Sequence, residues 1–251
     1  MISSQYVSRI TLRRDKVESF DQYPFSLPVV RHLEQIDLHP RVNFFIGENG
    51  SGKSTLLEAI AVSLGFNAEG GSKNFSFGTR RSHSELHEYL RIAKGLRRPH
   101  DGYFLRAESF FNVATEIEKL DEDPVGGPPI IGAYGNRSLH EQSHGESFLA
   151  LMMERFRGQG LYILDEPEAA LSPQRQLATL VRMRDLVEEK SQFIIATHSP
   201  IPRTCSRPFW QPRKSLFGMG CKARCAVDSS AINKRRNAAD RPKRHLPGGL
   251  G

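Results

Sequence analysis

Residues 47–55 read GENGSGKST, and no other segment limits the possible folds of this chain as tightly. Gly47, Gly52, Lys53 and Ser54 meet the phosphate-loop pattern G-x-x-x-x-G-K-[ST]. The pattern has chemical meaning only between a buried strand and a helix, and both flanks are legible. The apolar run Val42 to Ile46 precedes it. Leu56, Leu57, Ile60, Ala61 and Leu64 follow at helical spacing, with Gly65 as the C-cap. The glycines let backbone N–H groups turn inward around a polyphosphate, and the helix N-terminus adds partial positive charge. Gly47, Asn49, Gly50, Ser51, Gly52, Lys53, Ser54 and Thr55 are the expected nucleotide contacts. Lys53 is expected to reach the terminal phosphates and the Ser54 hydroxyl to hold Mg²⁺.

A carboxylate pair completes the pattern. In LYILDEPEAALSP, residues 161–173, four apolar residues run straight into Asp165 and Glu166. The C-terminal end of a buried strand lies beside the phosphate loop in an open α/β sheet. Asp165 is expected to complete the Mg²⁺ shell, and Glu166 to orient and polarise a water in line with the terminal phosphate. His198, in ATHSP at 196–200, follows the next strand, where its imidazole could hydrogen-bond the terminal phosphate. Lys53, Glu166 and His198 form the expected catalytic group. Ser143 and Gly145, in QSHGES at 142–147, open a helix beginning near Glu146 and are either an ordinary helix cap or a second anion site. One chain does not need two such sites for one nucleotide. Two chains head to tail do, each lending its Ser143 region to the phosphate held by the other.

The remaining pattern gives an α/β chain with a largely parallel sheet flanked by helices. Residues 5–13 alternate as a strand of an N-terminal antiparallel β portion, and about 66–140 read as a β/helical lobe insertion. Within that stretch Tyr103 to Leu105 is a buried strand, Phe110 to Leu120 a helix, and 121–129 a turn-rich loop. Ser172 and Pro173 cap a helix running to about Glu189, and Phe193 to Ala196 is a further buried strand. No apolar stretch approaches the length of a membrane span, and residues 1–14 lack a signal-peptide core, so a cytoplasmic protein is expected.

Charge divides the chain in two. Residues 201–251 hold 12 of the 35 Lys+Arg and 2 of the 28 Asp+Glu, a net of +10, which leaves residues 1–200 at −3. The three cysteines and the only tryptophan also lie after residue 200; Cys221 and Cys225 are read as incidental rather than as a zinc site. The organisation expected is an ATPase domain over 1–200 and a basic, disordered or frame-shifted tail over 201–251. The tail shows no strand or helix periodicity, and the sheet edge it should cover is expected to be open. Translating the gene in the other two frames beyond codon 200 tests the frame-shift reading.

The loop, the SHGES segment, the strand ending in LDEPEAALSP and the ATHSP strand together resemble the ATP-binding-cassette class of P-loop ATPases. Within it they resemble the soluble stand-alone AAA/ABC proteins akin to the recombination-repair and chromosome-maintenance (SMC-type) group. The match spans about residues 5–200. It implies ATP and Mg²⁺ as cofactors, ATP hydrolysis, and a homodimer formed on ATP that changes its affinity for a client protein or nucleic acid. It also implies the roles given above for Lys53, Ser54, Asp165, Glu166, Ser143 and His198, with the loop after Leu171 touching the opposite subunit. Transport cassettes usually carry Leu-Ser-Gly-Gly-Gln where this chain has Gln142 to Glu146, and Glu108 stands where their magnesium-sensing glutamine is expected. Both departures weigh against the first alternative, the nucleotide-binding subunit of a transporter. The interval from Thr55 to Ser143 holds no sustained heptads, which excludes a long coiled-coil arm. The net of −3 gives no support to the second alternative, a DNA-repair ATPase.

Overall fold

The computed structural model describes residues 5–73, 84–108, 110–122, 132, 144–169 and 171–198, with three short strands beyond them. A parallel core is built from β3 (Val42–Gly47), β6 (Asp101–Arg106), β7 (Gly160–Asp165) and β8 (Gln192–Thr197) in the order β3-β8-β7-β6. β4 (Gly71–Ser72) runs antiparallel outside β6. A separate antiparallel sheet has the order β2-β1-β5, from β1 (Val7–Leu12), β2 (Gln35–Asp37) and β5 (Leu90–Lys94).

The core strands are apolar on both faces because each face meets a different layer. Phe44, Ile46, Tyr103, Leu105, Tyr162, Leu164, Phe193 and Ile195 enter one cluster. Phe45, Phe104, Leu161, Ile163, Ile194 and Ala196 enter the other. This is the two-residue alternation of a strand, realised as two cores rather than core and solvent. The first cluster is closed by α3 (Phe110–Glu122), α4 (His144–Ala150), the π-helical turn Leu151–Arg155 and α5 (Pro173–Glu188). The second is closed by α2 (Lys53–Ser63), α1 (Pro28–Arg31) and the antiparallel sheet. Each fully buried Leu, Ile or Phe contributes about 1.5–3 kcal/mol, so the double-sided burial is the main force holding the strands in register.

One polar side chain ties the two sheets. Gln192, fully buried, accepts the Tyr6 and Val7 backbone N–H groups at 3.0 and 2.9 Å and donates to Val7 O and His39 O at 2.9 Å each. All four of its hydrogen-bonding positions are used.

Two expectations change. The stretch about 66–140 is not set apart as one lobe: β5 pairs with β1, and β6 lies inside the core sheet. β5 follows the pairing demand of β1, whose second edge would otherwise be open. The tail contributes strands β9 (Trp210–Gln211), β10 (Cys221–Ala223) and β11 (Ala226–Val227), and β10 pairs antiparallel with β3, placing Cys221 opposite Gly47. An open strand edge offers backbone donors and acceptors that any extended segment can meet, so periodicity does not report this pairing. The rest of the tail lies outside the described residues.

Candidate nucleotide site

The phosphate loop leaves β3 at Gly47 and enters α2 at Lys53. Gly50 and Gly52 have φ of +75° and +92°, the left-handed region that favours glycine. Gly52 has a second constraint: a Cβ there would stand 2.9 Å from Leu27 Cβ and 3.0 Å from Val29 Cγ1. The Val29 N–H donates to Ser51 O at 3.1 Å and pins the loop to α1. Asn49 is exposed at the loop tip, and Thr55 is half-buried in the first turn of α2.

Lys53 is 3% exposed, and its Nζ donates to Glu48 O at 2.8 Å, so the ammonium lies over the loop. The Ser54 hydroxyl donates to Asp165 Oδ1 at 3.0 Å, across 111 residues of sequence. Burial pushes the Asp165 carboxyl up to about 6. The Ser54 hydrogen bond and Arg106 pull it down, while Glu166 and Glu108 push it further up. A hydroxyl beside a carboxylate at a helix N-terminus is a donor set suited to Mg²⁺, which takes few protein oxygens and completes its shell from phosphate and water. Ser51 Oγ is buried with no hydrogen-bond partner among the described residues, a donor the loop leaves available for an anion. No group of three or more His, Cys, Asp or Glu able to hold a metal unaided occurs among the described residues.

Glu166 follows Asp165 with φ of +49°, unusual for a non-glycine residue and of the kind that collects at functional sites. Its N–H donates to Ala196 O at 2.9 Å, so β8 fixes the turn. His198 Nδ1 lies 3.6 Å from carboxylate oxygens of both Glu166 and Glu168. Glu168 also accepts from the Thr197 hydroxyl, and from the His198 N–H at 3.1 Å. Sequence reasoning missed Glu168. Its signal was a second acid two residues past Glu166 in the same turn.

The structure thus brings Lys53, Ser54, Asp165, Glu166 and His198 to one end of the core sheet. Glu108, 88% exposed, lies 3.5 Å from Arg106 Nη2 rather than against Ser54. Gly145 is buried in the first turn of α4, and Ser143 lies outside the described residues. α4 is held to α5 by Glu146 and Arg175 at 2.9 Å, and the Ser172 hydroxyl caps α5 by accepting from Arg175 N. Sequence reasoning also missed Arg106 and Glu58, which join at 2.6 Å beside the site.

Two family profiles match the chain. One, described as an AAA domain, covers residues 16–122. The other, also described as an AAA domain, covers residues 130–201. A stretch of 25 residues, 10% of the chain, is 80% identical to the DNA replication and repair protein RecF of Colwellia psychrerythraea and spans 7% of that protein's length. Among solved structures, an inward-facing conformation of a metal-chelate type ABC transporter matches 91% of the chain and 100% of its own, at 13% identity and a TM-score of 0.43. No helix among the described residues is long and apolar enough to cross a membrane.

Proposed function

We propose that the chain, which two AAA-domain profiles match, is a P-loop ATPase of the AAA/ABC class that binds and hydrolyses ATP at this site and dimerises on ATP. The 3.0 Å contact between Ser54 and Asp165 carries the reading, because it joins the phosphate loop and the acidic strand end at one point. The loop backbone and Lys53 bind the phosphates, and Ser54 and Asp165 hold Mg²⁺. Bound there, the cation supplies charge neutralisation for the phosphoryl group in transfer. Glu166 accepts a proton from the attacking water, and its turn is fixed by β8. His198, held between Glu166 and Glu168, hydrogen-bonds the terminal phosphate. Ser143 and Gly145 of a second copy cover that phosphate and complete the site.

The composite site has a direct test. Lys53→Ala and Ser143→Arg proteins are each expected to be inactive, and mixing them to restore part of the ATPase rate, since one of the two sites in a mixed dimer is intact. No recovery despite demonstrated mixed dimers refutes the shared site.

One observation favours a second reading, a DNA-linked ATPase. Lys73, Lys94, Arg97 and Arg98 are exposed around the turn after β5, and none makes an ion pair with a described carboxylate. Lys73, just after β4, lies near enough to Lys94 for the two positive charges to interact. Such a patch within a net-acidic stretch suits a phosphate backbone, as does the short likeness to a repair protein. Duplex binding that falls with salt, and is lost on replacing Lys94, Arg97 and Arg98 by Glu, supports it; salt-independent binding refutes it.

A further inference from the structure

Arg106 ends β6 and stands directly beside Asp165 in the parallel register of β6 and β7. Its side chain is 20% exposed and faces three carboxylates, on α2, on β7 and in the turn after β6. Nη1 lies 2.6 Å from Glu58 Oε2 on α2, Nη2 lies 3.5 Å from Glu108 Oε2, and Nε lies 3.9 Å from Asp165 Oδ2. The Glu58 contact is a hydrogen-bonded ion pair between two mostly buried groups, and the other Glu58 oxygen accepts the Ser84 N–H at 3.3 Å. The Asp165 contact is different. At 3.9 Å it is a charge contact without a hydrogen bond, and Arg106 Nε is buried with no hydrogen-bond partner. The guanidinium is therefore anchored by Glu58 and only balances the charge of Asp165, an arrangement that can be given up without breaking a bond.

Resting on the nucleotide-site reading above, we propose that Arg106 is a positioning residue. It serves as the counter-charge of Asp165 in the nucleotide-free protein and frees that carboxylate when ATP binds together with Mg²⁺. Without Arg106, the loop would face Asp165, Glu166 and Glu108 with one counter-charge fewer beside Lys53. Metal-free ATP, with its full negative charge, would be repelled. ATP bound with Mg²⁺ is affected far less, because the metal then neutralises Asp165. At the effective dielectric of a protein, one unit charge several ångströms from a polyphosphate changes affinity by at least about tenfold.

The experiment measures ATP affinity by calorimetry in MgCl₂ and in EDTA, for wild type, Arg106→Gln, Arg106→Lys and the double variant Glu58→Gln/Arg106→Gln. The double variant removes the buried Glu58 charge that Arg106→Gln strands, so folding is retained and is checked by a thermal melt. In the Gln variants metal-free ATP should weaken by at least about tenfold and ATP with Mg²⁺ by no more than about threefold, which widens the ratio of the two. Arg106→Lys, which keeps the charge, should restore most of the wild-type ratio. Equal weakening in both conditions would mean that Arg106 acts only as a structural brace, and overturns the proposal. So does an unchanged ratio in a wild-type background that binds ATP with Mg²⁺ tightly. A wild-type protein that binds no ATP in either condition overturns the nucleotide-site reading itself.

Discussion

Replacing Asp165 by Asn should make the nucleotide-free protein more stable while removing the Mg²⁺ dependence of ATP binding. The carboxyl side chain is 8% exposed, and its pKa is raised from 3.8 to about 6, chiefly by burial. A folded-state pKa above the unfolded one means that ionisation opposes folding. This cost is fully present above about pH 6 and disappears below the unfolded value of 3.8. The gap between the two values corresponds to about 3 kcal/mol at neutral pH. The amide of Asn can still accept from Ser54, but its NH₂ group stands near Arg106 without an acceptor, which returns about 1–2 kcal/mol of the gain. The expected net gain is about 1–2 kcal/mol, or a Tm about 3–6 °C higher for a domain of this size. The assay is thermal unfolding in EDTA without nucleotide, repeated from pH 7.5 down to pH 4. The advantage of Asp165→Asn should shrink as the pH falls, because the wild-type carboxyl then carries its proton in the folded state. A variant that melts below wild type at pH 7.5, or whose advantage does not vary with pH, refutes the reasoning.

Lys53→Ala should weaken ATP binding at least tenfold by calorimetry, since a charge-assisted contact to buried phosphate is worth more than about 1.4 kcal/mol. Glu166→Gln should keep ATP affinity, lower turnover and accumulate an ATP-bound dimer in size-exclusion chromatography; wild-type turnover would assign the water to another group. Gln192→Ala takes their Gln192 partner from the Tyr6 and Val7 N–H groups and from Val7 O, while His39 O keeps the Asn43 amide, so chemical denaturation should show a loss of about 3 kcal/mol or more. A loss below about 1 kcal/mol would mean that the two sheets are held by apolar packing alone.

The core strands and the helices on either side were legible because their periodicities are strong and their ends carry specific chemistry. Ser172 and Pro173 cap α5 as the sequence indicates, and Gly65 has the φ of +88° expected of a helix stop. The Ser54–Asp165 contact could be anticipated because a phosphate loop and an acidic strand end converge in any sheet of this class. Arg106 and Glu58 could not be read in the same way. Glu58 sits in α2 among apolar residues and resembles a solvent-facing position, and only the register of β6 against α2 shows that it is buried by an arginine. Gln192 looks like the polar mouth of an apolar strand, and its role depends on a contact 185 residues away. The pairing of β5 with β1 is not legible in the stretch 66–140, because alternation reports that a strand has two faces and not which sheet it joins.

The register of the core sheet sets distances for the whole site. Ile46 lies opposite Thr197, Ala196 opposite Asp165, and Asp165 opposite Arg106, so four strand ends are cut to the same length across the sheet. Precision at the nucleotide is thus inherited from backbone pairing and not assembled by the loops. Adding or deleting a residue in an exposed turn should leave this alignment intact. The same change inside β7 should carry Asp165 to the opposite face of the sheet, toward the layer that holds Tyr162 and Leu164, and disable the site while leaving most of the chain's apolar content able to pack. For this fold, tolerance to insertion maps where the alignment of strand ends is kept, more finely than either burial or distance from the phosphate loop.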